Sequence, residues 1–412
     1  MGLYGEKKMT HLLTAAILCI LVLLGTVEWI GHRRRLLSVP IRIHVNGSRG
    51  KSSVTRLLAA AARESGLKTI ARTTGTFPRH ILEDGSELPV RRYGAPRILE
   101  LIETVKIASE RDADILIVEC MALRPEYQYL SESKLIQSTH GIITNVREDH
   151  LDVMGPSVED VAAALSKTIP KNGILITSES KHISVFEARA IKQSTLIQLP
   201  EAADFYIESD REKRISDFPE NTALVRTMCR ELGIKDDTAI SGMAKAVPDP
   251  GILSVFDIDT NAGKVRAVNA FSANDPESTE LIIRDMEKKG HLEGQMVIIY
   301  NHRDDRGQRG IAFCNLFSKL DKHHYVAAFL LIGKNTLPIF SRMRRLGIGK
   351  DKIIREYRST DPNSLMKKIT AAVDSRKITD MQTIATLIGL GNFAGPAYEL
   401  VQCWQRSGRK YA

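Results

Sequence analysis

The sequence has little of what builds disulfide-stabilised, zinc-binding or nucleic-acid-binding proteins. Its 412 residues include five cysteines, an odd number, and no two of them are spaced as CxxC. This argues against a disulfide framework or a structural zinc site and favours a reducing compartment. Lysine and arginine exceed aspartate and glutamate by 58 − 49 = 9, but no polybasic run occurs. We therefore expect no nucleic-acid partner.

One apolar segment departs from a composition that is otherwise typical of soluble proteins. Residues 12–30 read LLTAAILCILVLLGTVEWI, and as a helix they span about 28 Å, close to the hydrocarbon thickness of a bilayer. A cleaved signal peptide is the alternative, but His32 and the arginines at 33–35 follow where cleavage needs small residues. Since these arginines outnumber Lys7 and Lys8, we predict a single-pass cell-membrane helix with the rest of the chain in the cytoplasm.

After Pro40, apolar strand-like runs alternate with amphipathic helical segments, which predicts an α/β fold with parallel sheets. Several runs are unbroken, as in strands that are buried on both faces. Strands are expected near 41–45, 69–71, 115–118, 141–146, 173–176, 265–269, 295–300, 327–333 and 384–389. Helices are expected after the first strand, from about Pro96, from Ser157, and near 276–289, 362–374 and 396–405.

The first strand leads into a glycine-containing turn of the kind that binds nucleotide phosphates. Residues 46–53 read NGSRGKSS and precede an amphipathic helix. The glycines let backbone N–H groups point at phosphate oxygens, and the helix N-terminus adds its dipole. The predicted nucleotide-binding residues are Gly47, Ser48, Arg49, Gly50, Lys51, Ser52 and Ser53. Lys51 would bridge the outer phosphates and Ser52 would bind Mg²⁺; the alternative is an ordinary strand–helix turn with a solvated lysine.

Two more strands end in polar residues at the sheet edge where parallel α/β folds bind ligands. Glu119 directly follows a run of four apolar residues, and His150 lies four residues past the strand predicted at 141–146. Because Mg²⁺ prefers oxygen ligands, we predict that Glu119 binds the metal. His150 is predicted to contact the metal or a phosphate. Lys51, Glu119 and His150 are the predicted catalytic residues.

These segments together resemble the Mur ligase superfamily of ATP-dependent amide-forming enzymes. The resemblance rests on the loop at 47–52, on Glu119, and on TNVREDHLDVMG at 144–155, and it extends over residues 41–412. It implies ATP and Mg²⁺ as cofactors and a second metal at His150. Residues 272–276, SANDP, resemble the segment that opens the superfamily's C-terminal domain. The resemblance therefore implies that Asn274 and Asp275 contact the nucleotide.

Within the superfamily, the chain looks like the ligase subunits of poly-γ-glutamate synthases, of the CapB or PgsB type. Segments 45–56, 119–128 and 269–278 carry this likeness, and only 40 residues precede the first strand, too few for the UDP-binding domain of muropeptide ligases. The likeness implies polymerisation of glutamate into poly-γ-glutamate through an acyl phosphate, with small integral-membrane subunits as partners that export the polymer. The alternatives are a folylpolyglutamate or muropeptide ligase, and a membrane-tethered ATPase without ligase activity.

A proline-rich break, AVPDPG at 246–251, completes the expected organisation. We predict a membrane anchor with its arginine cluster at 1–40, an ATP-binding domain at 41–250 and a smaller ligase domain at 251–412.

Some further candidates are each open to two interpretations. Lys167 is either the carbamylated metal-binding lysine of many superfamily members or a solvated helix lysine. Residues 74–76 are either a second loop near the phosphates or an ordinary turn. Residues 389–395, GLGNFAG, form either a backbone anion site or a tight strand–helix turn. Five arginines are candidates for binding the carboxylates of a polyanionic product: Arg91, Arg92, Arg303, Arg306 and Arg309.

Overall fold

The chain, described here from a computed structural model, divides into two compact units, Met1–Pro248 and Asp249–Ala412. The structure describes all residues except 1, 76–77, 91, 93, 95, 206–214, 216–218, 250, 252, 261–262, 274–275, 304–306, 324–325, 357–360, 374–382 and 411–412. Each unit contains one mainly parallel sheet with helices against it, which confirms the α/β class.

The first unit is built on an eight-stranded sheet with the order β4-β3-β2-β5-β1-β6-β7-β8. Its strands are β1 (Ile41–Asn46), β2 (Thr69–Arg72), β3 (Arg79–Ile81), β4 (Glu87–Pro89), β5 (Ile115–Glu119), β6 (His140–Ile143), β7 (Ile174–Thr177) and β8 (Leu196–Gln198). Among the described residues, the antiparallel pairs of this sheet are β2–β3 and β3–β4, at one edge. Its helices are α1 (Gly2–Ser38), α2 (Lys51–Glu64), α3 (Glu100–Glu110), α4 (Pro125–Leu130), α5 (Leu151–Met154), α6 (Val158–Leu165), α7 (Ile183–Gln193), α8 (Pro219–Glu231) and α9 (Asp236–Met243).

The central strands explain why the apolar runs of the sequence become this sheet. All five residues of β5 are buried, and β5 lies between β1 and β2 in parallel register. On the other side of β1 lies β6, also parallel. Burial on both faces leaves no position for an alternating polar pattern, so the strands are continuous apolar runs.

One strand ends earlier than its sequence predicted. β6 stops at Ile143 instead of residue 146, because the chain then turns to hydrogen-bond the loop after β1. His150 therefore lies seven residues, 150 − 143, past the strand and not four. It precedes α5 with a left-handed backbone, at φ 45°.

The N-terminal helix continues well beyond the apolar segment and ends on the folded unit. Leu36 and Val39 are buried in a cluster with Leu101 and Val105 of α3. The Nε2 atom of His32 lies 3.0 Å from the carbonyl oxygen of Leu135. The end of α1 thus packs into the hydrophobic core of the first unit, and the boundary of the anchor at residue 40 stays a prediction.

The helix predicted after Ser157 begins as its sequence indicates but ends differently. Ser157 and Asp160 form a capping box. After Leu165 the chain tightens into a 3₁₀ turn, Ser166–Thr168. The regular 100° spacing of an α-helix therefore ends before Lys167, which is half-buried.

The second unit has a seven-stranded sheet with the order β13-β12-β11-β14-β10-β9-β15. Its strands are β9 (Ser254–Thr260), β10 (Gly263–Asn269), β11 (Gln295–His302), β12 (Val326–Gly333), β13 (Ile353–Arg355), β14 (Thr383–Leu390) and β15 (Gly408–Lys410). In the described part of this unit, β9 pairs antiparallel with both of its neighbours, β10 and β15. Its helices are α10 (Pro276–Lys288), α11 (Gly307–His323), α12 (Leu337–Arg345), α13 (Pro362–Ala372) and α14 (Pro396–Ser407).

Candidate nucleotide and metal site

The predicted site residues of the first unit gather at the carboxyl ends of four neighbouring strands. These are β2, β5, β1 and β6, in that order across the sheet. The loop after β1 leads directly into α2, whose first residue is Lys51. Parallel strands bring all four following loops to one edge, which is where such sheets bind ligands.

Both glycines of the loop after β1 have a structural reason. Gly47 and Gly50 have φ angles of 129° and 88°, in the region that side chains disfavour. A Cβ on Gly47 would lie 2.1 Å from the Oγ1 atom of Thr144, and one on Gly50 would lie 2.5 Å from the Oδ1 atom of Asn221. The loop can therefore approach Thr144 and Asn221 this closely only with glycine at positions 47 and 50.

The segment after β6 holds this loop in shape. The backbone N–H of Ser48 donates to the carbonyl oxygen of Asn145 at 3.0 Å, and that of Arg49 donates to its side-chain oxygen at 3.0 Å. In return the hydroxyl of Thr144 donates to the carbonyl oxygen of Arg49 at 2.6 Å. Thr144 and Asn145, which matched the superfamily pattern, thus stabilise the conformation of the loop through hydrogen bonds.

Two of the three predicted metal-binding residues, Ser52 and Glu119, meet at the start of α2. The hydroxyl of Ser52 donates to Oε2 of Glu119 at 2.9 Å, and the backbone N–H of Thr74 donates to the same oxygen at 2.7 Å. Lys51 lies beside them, with its Nζ atom 2.6 Å from the carbonyl oxygen of Gly47. The structure therefore brings together Lys51, Ser52, Glu119 and the first residue of the loop at 74–76.

Glu119 has the surroundings of a carboxylate that binds a cation. It is only 3% exposed, and among the described residues no basic side chain forms an ion pair with it. The guanidinium of Arg72 acts on Glu119 electrostatically from beyond ion-pair distance, and the hydrogen bonds to its Oε2 atom come from neutral groups. A buried carboxylate and a hydroxyl are hard oxygen ligands, so the donor set fits Mg²⁺.

His150 is placed differently from Glu119. It is exposed, on the side of the loop that carries Arg49, and its Nε2 atom lies 4.0 Å from Oδ1 of Asp149. The same carboxylate oxygen lies 3.8 Å from an Nη2 atom of Arg49. Within the described parts of the chain, no three His, Cys, Asp or Glu side chains form a metal-binding cluster. The contact of His150 with a metal or phosphate stays a prediction.

Behind the loop, buried polar contacts fix strand β1. The side-chain nitrogen of Asn46 donates to Oε1 of Gln128 at 2.8 Å and to the hydroxyl of Thr168 at 3.0 Å. Two residues earlier on β1, the Nδ1 atom of His44 lies 2.8 Å from Oε2 of Glu132. Burial opposes protonation of His44, but contacts with Cys120 and Glu132 outweigh it and raise the pKa of His44 to about 10.

Several other predicted residues lie elsewhere or outside the described residues. Arg92 is engaged by Glu100, with Nε 3.1 Å from Oε1, while Arg303 is exposed and Arg309 half-buried in the second unit. The candidates that fall outside the described residues are Asn274, Asp275, Thr76, Arg91 and Arg306. Asn221, which lies against Gly50, was not predicted, because no local sequence pattern connects the two residues.

Comparison with known proteins assigns the chain to a family. Residues 45–245 match the Mur ligase middle domain, and residues 255–407 match the poly-gamma-glutamate synthase CapB C-terminal domain. The PGA synthase CapB of Bacillus subtilis (strain 168) is 35% identical over 388 residues, which cover 93% of this chain and 95% of that protein. The chain belongs to the CapB family. The capsule biosynthesis protein CapB of Bacillus anthracis is 34% identical, over 92% of this chain and 80% of its own length.

A solved structure with the same fold is more distant in sequence. The bifunctional folylpolyglutamate synthase/dihydrofolate synthase of Yersinia pestis, complexed with AMPPNP and a Mn ion, has a TM-score of 0.60 and 14% identity over 91% of this chain and 92% of its own. At this identity the likeness shows the fold alone. The CapB family membership confirms the resemblance found in the sequence and places the chain among ATP-dependent amide ligases that use a divalent metal.

Proposed function

We propose that the chain polymerises glutamate into poly-γ-glutamate, by phosphorylating the carboxylate at the end of the growing chain. Membership of the CapB family makes it an ATP-dependent amide ligase. The observation that carries the proposal is the meeting of Lys51, Ser52 and Glu119 at the mouth of a glycine loop. These groups suit a triphosphate and its metal.

The loop and the start of α2 would hold ATP. Backbone N–H groups between Gly47 and Ser53, together with the dipole of α2, suit the negative phosphate oxygens. The ammonium group of Lys51 would exchange its contact with the Gly47 carbonyl oxygen for the outer phosphates. Ser52 and Glu119 would bind one Mg²⁺, which supplies charge neutralisation at the transferring phosphoryl group. We propose His150 as a further metal or phosphate contact, and Asn274 and Asp275 as nucleotide contacts from the second unit.

The chemistry explains why ATP is needed. A carboxylate is a poor electrophile because its charge repels a nucleophile, and phosphorylation converts it into an acyl phosphate. The amino group of the next glutamate then attacks the acyl carbon, and inorganic phosphate leaves with the electron pair of the C–O bond. The residues at the loop contribute positioning and charge stabilisation, which are the main protein contributions to phosphoryl transfer.

We further propose that α1 attaches the ligase to the cell membrane with both units in the cytoplasm. The segment His11–Ser38 is long enough to cross a bilayer and contains an 18-residue window with a mean hydropathy of 2.3. Small integral-membrane subunits would then receive the polymer. Release of the full chain from membranes by alkaline carbonate would exclude this attachment.

The decisive experiment follows labelled glutamate into acid-precipitable polymer with membranes that contain the full chain, ATP and Mg²⁺. Label is expected in polymer whose amide bonds resist α-peptidases. Separate reactions that supply a folate or a muropeptide as the acceptor test the related ligase types. If ATP is hydrolysed but no amide forms with any acceptor, the chain is an ATPase and the proposal is wrong.

A further inference from the structure

An apolar patch lies on α4 and the residues just before it, in the first unit. Four large side chains there, which we call the α4 patch, are exposed by 36% to 48%: Leu123, Tyr127, Tyr129 and Leu130. Single exposed apolar side chains are normal, but four within eight residues are a local concentration of exposed apolar surface.

The α4 patch lies next to the base of the N-terminal helix. A π-helical segment, Ser131–Ile136, continues α4 without a break. Its Leu135 accepts the contact from His32 of α1 at 3.0 Å, and Leu135 packs in one buried cluster with Leu36. With a rise of about 1.5 Å per residue, Leu130 and Leu135 are separated by about 7 Å along the helix axis. The patch therefore begins close to the point where α1 leaves the unit.

Charge and composition around the patch match a lipid surface. Arg33 and Arg34 on α1 are exposed, as are Arg124 and Lys134, which flank the patch. The only exposed acid of α4 itself is Glu126, while Glu132 is buried against His44. Tyrosine and leucine between basic side chains are the composition of protein surfaces that lie at the depth of lipid headgroups.

We infer that the α4 patch rests on the cytoplasmic surface of an anionic bilayer, with its tyrosines and leucines among the lipid headgroups. The inference rests on the proposed membrane span of α1 and adds a second point of contact to it. Because Leu123 follows Glu119 by four residues, this contact holds the carboxyl edge of the first sheet near the membrane. Two contacts, one spanning and one interfacial, fix orientation where a single helix would allow rotation.

The test measures the depth of Leu130 in a lipid bilayer. The full chain with Cys19→Ser and Cys403→Ser is reconstituted into vesicles of phosphatidylcholine with about 30% phosphatidylglycerol, which supplies the anionic surface. Cys120, Cys229 and Cys314 are buried and stay unlabelled. A fluorophore is attached at Leu130→Cys or, as a matched control, at Ile191→Cys on α7, an apolar residue that is 79% exposed.

Lipids with a spin label in the headgroup should quench the fluorophore at 130 at least about twofold more than the one at 191. Lys134→Glu should reduce that difference, since it reverses a charge that faces the anionic lipid. Equal quenching at the two positions in vesicles that retain the protein after carbonate would overturn the inference. A second result would also overturn it: the fluorophore at 130 is shielded from solvent only in native membranes that contain other proteins, which would indicate a protein partner.

Glutamate-dependent ATP turnover is measured on the same samples, which separates this inference from the proposed function. Quenching at 130 without turnover counts against the ligase proposal alone. Release by carbonate counts against the membrane span.

Discussion

Each of the two sheets has a glycine-containing loop between a strand and a helix, and the two loops differ in the side chains that contact them. In the first unit, β1 leads through Gly47 and Gly50 into α2, and in the second unit β14 leads through Gly391 into α14. At the first loop, Lys51, Ser52 and Glu119 converge. At the second, the side-chain nitrogen of Asn301 donates to the carbonyl oxygens of Asn392 at 2.6 Å and Ala394 at 2.7 Å.

The second loop therefore turns its carbonyl groups toward a neutral amide. A Cβ on Gly391 would lie 2.7 Å from the carbonyl oxygen of Asn301, so the glycine serves this close contact. The first residue of α14 is Pro396, which has no N–H to offer an anion. These contacts favour a tight strand–helix turn at 389–395. The comparison teaches that a glycine pattern reports a bend of the backbone, while the neighbouring side chains decide what the bend binds.

The largest expected effect comes from removing charge at the first loop. Lys51→Ala and Glu119→Ala should each lower glutamate-dependent ATP turnover by at least about 100-fold, because each removes an electrostatic contact with the transferring phosphoryl group. Lys334→Ala, at an exposed lysine directly after β12, is the control and should leave turnover near normal. Phosphate release measured with and without glutamate checks this, and normal turnover in either loop variant would contradict the assigned roles.

The next prediction exchanges glycines for alanine at the two loops. Gly47→Ala and Gly50→Ala should weaken ATP binding by roughly tenfold or more, because a left-handed backbone and a close neighbour both oppose the added Cβ. Gly391→Ala should lower the free energy of unfolding by about 1–3 kcal/mol and leave ATP binding nearly unchanged. Calorimetric titration with Mg²⁺ and ATP, together with denaturant unfolding, separates the two outcomes. Weakened ATP binding in Gly391→Ala would mean that the second loop also binds the nucleotide.

A smaller effect is expected at the amide that fills the second loop. Asn301→Ala leaves two carbonyl oxygens without their donor, so the free energy of unfolding should fall by about 1–3 kcal/mol. Asn363→Ala, at an exposed position on α13, is the matched control and should have little effect. Denaturant unfolding monitored by circular dichroism measures both. Equal stability of the two variants would remove the structural role assigned to Asn301.

The last effect concerns the flank of the first sheet and is small near neutral pH, because it appears only as the pH falls. Burial, with nearby Arg72, lowers the pKa of His80 to about 4. The unfolded chain therefore takes up a proton below about pH 6.5 that the folded chain does not, and stability falls as pH drops from there toward 4. His80→Gln should make this loss smaller by on the order of 2 kcal/mol near pH 4.5. Unfolding curves between pH 7 and pH 4.5 test the sign, and identical pH slopes in the two proteins would exclude the contribution of His80.

Much of the fold could be predicted because burial on both faces of a parallel strand leaves a continuous apolar run. The strand starting at Ile41, the buried β5 and the capping box at Ser157 were all recognisable from local pattern. The end of β6 was not, since it depends on hydrogen bonds to a loop that lies 95 residues away along the chain. The half-buried position of Lys167 was also missed, because the regular spacing of the α-helix ends before that residue.

The sequence by itself determined the α/β class, the family and the residues that carry charge at the first loop, because these depend on local periodicity and on short motifs. Only the tertiary structure decided which partners those residues meet. Ser52 hydrogen-bonds Glu119, which is 67 residues away along the chain, and Gly50 lies against Asn221 of α8. Such contacts depend on how strands and helices are arranged in space, which no window of neighbouring residues contains.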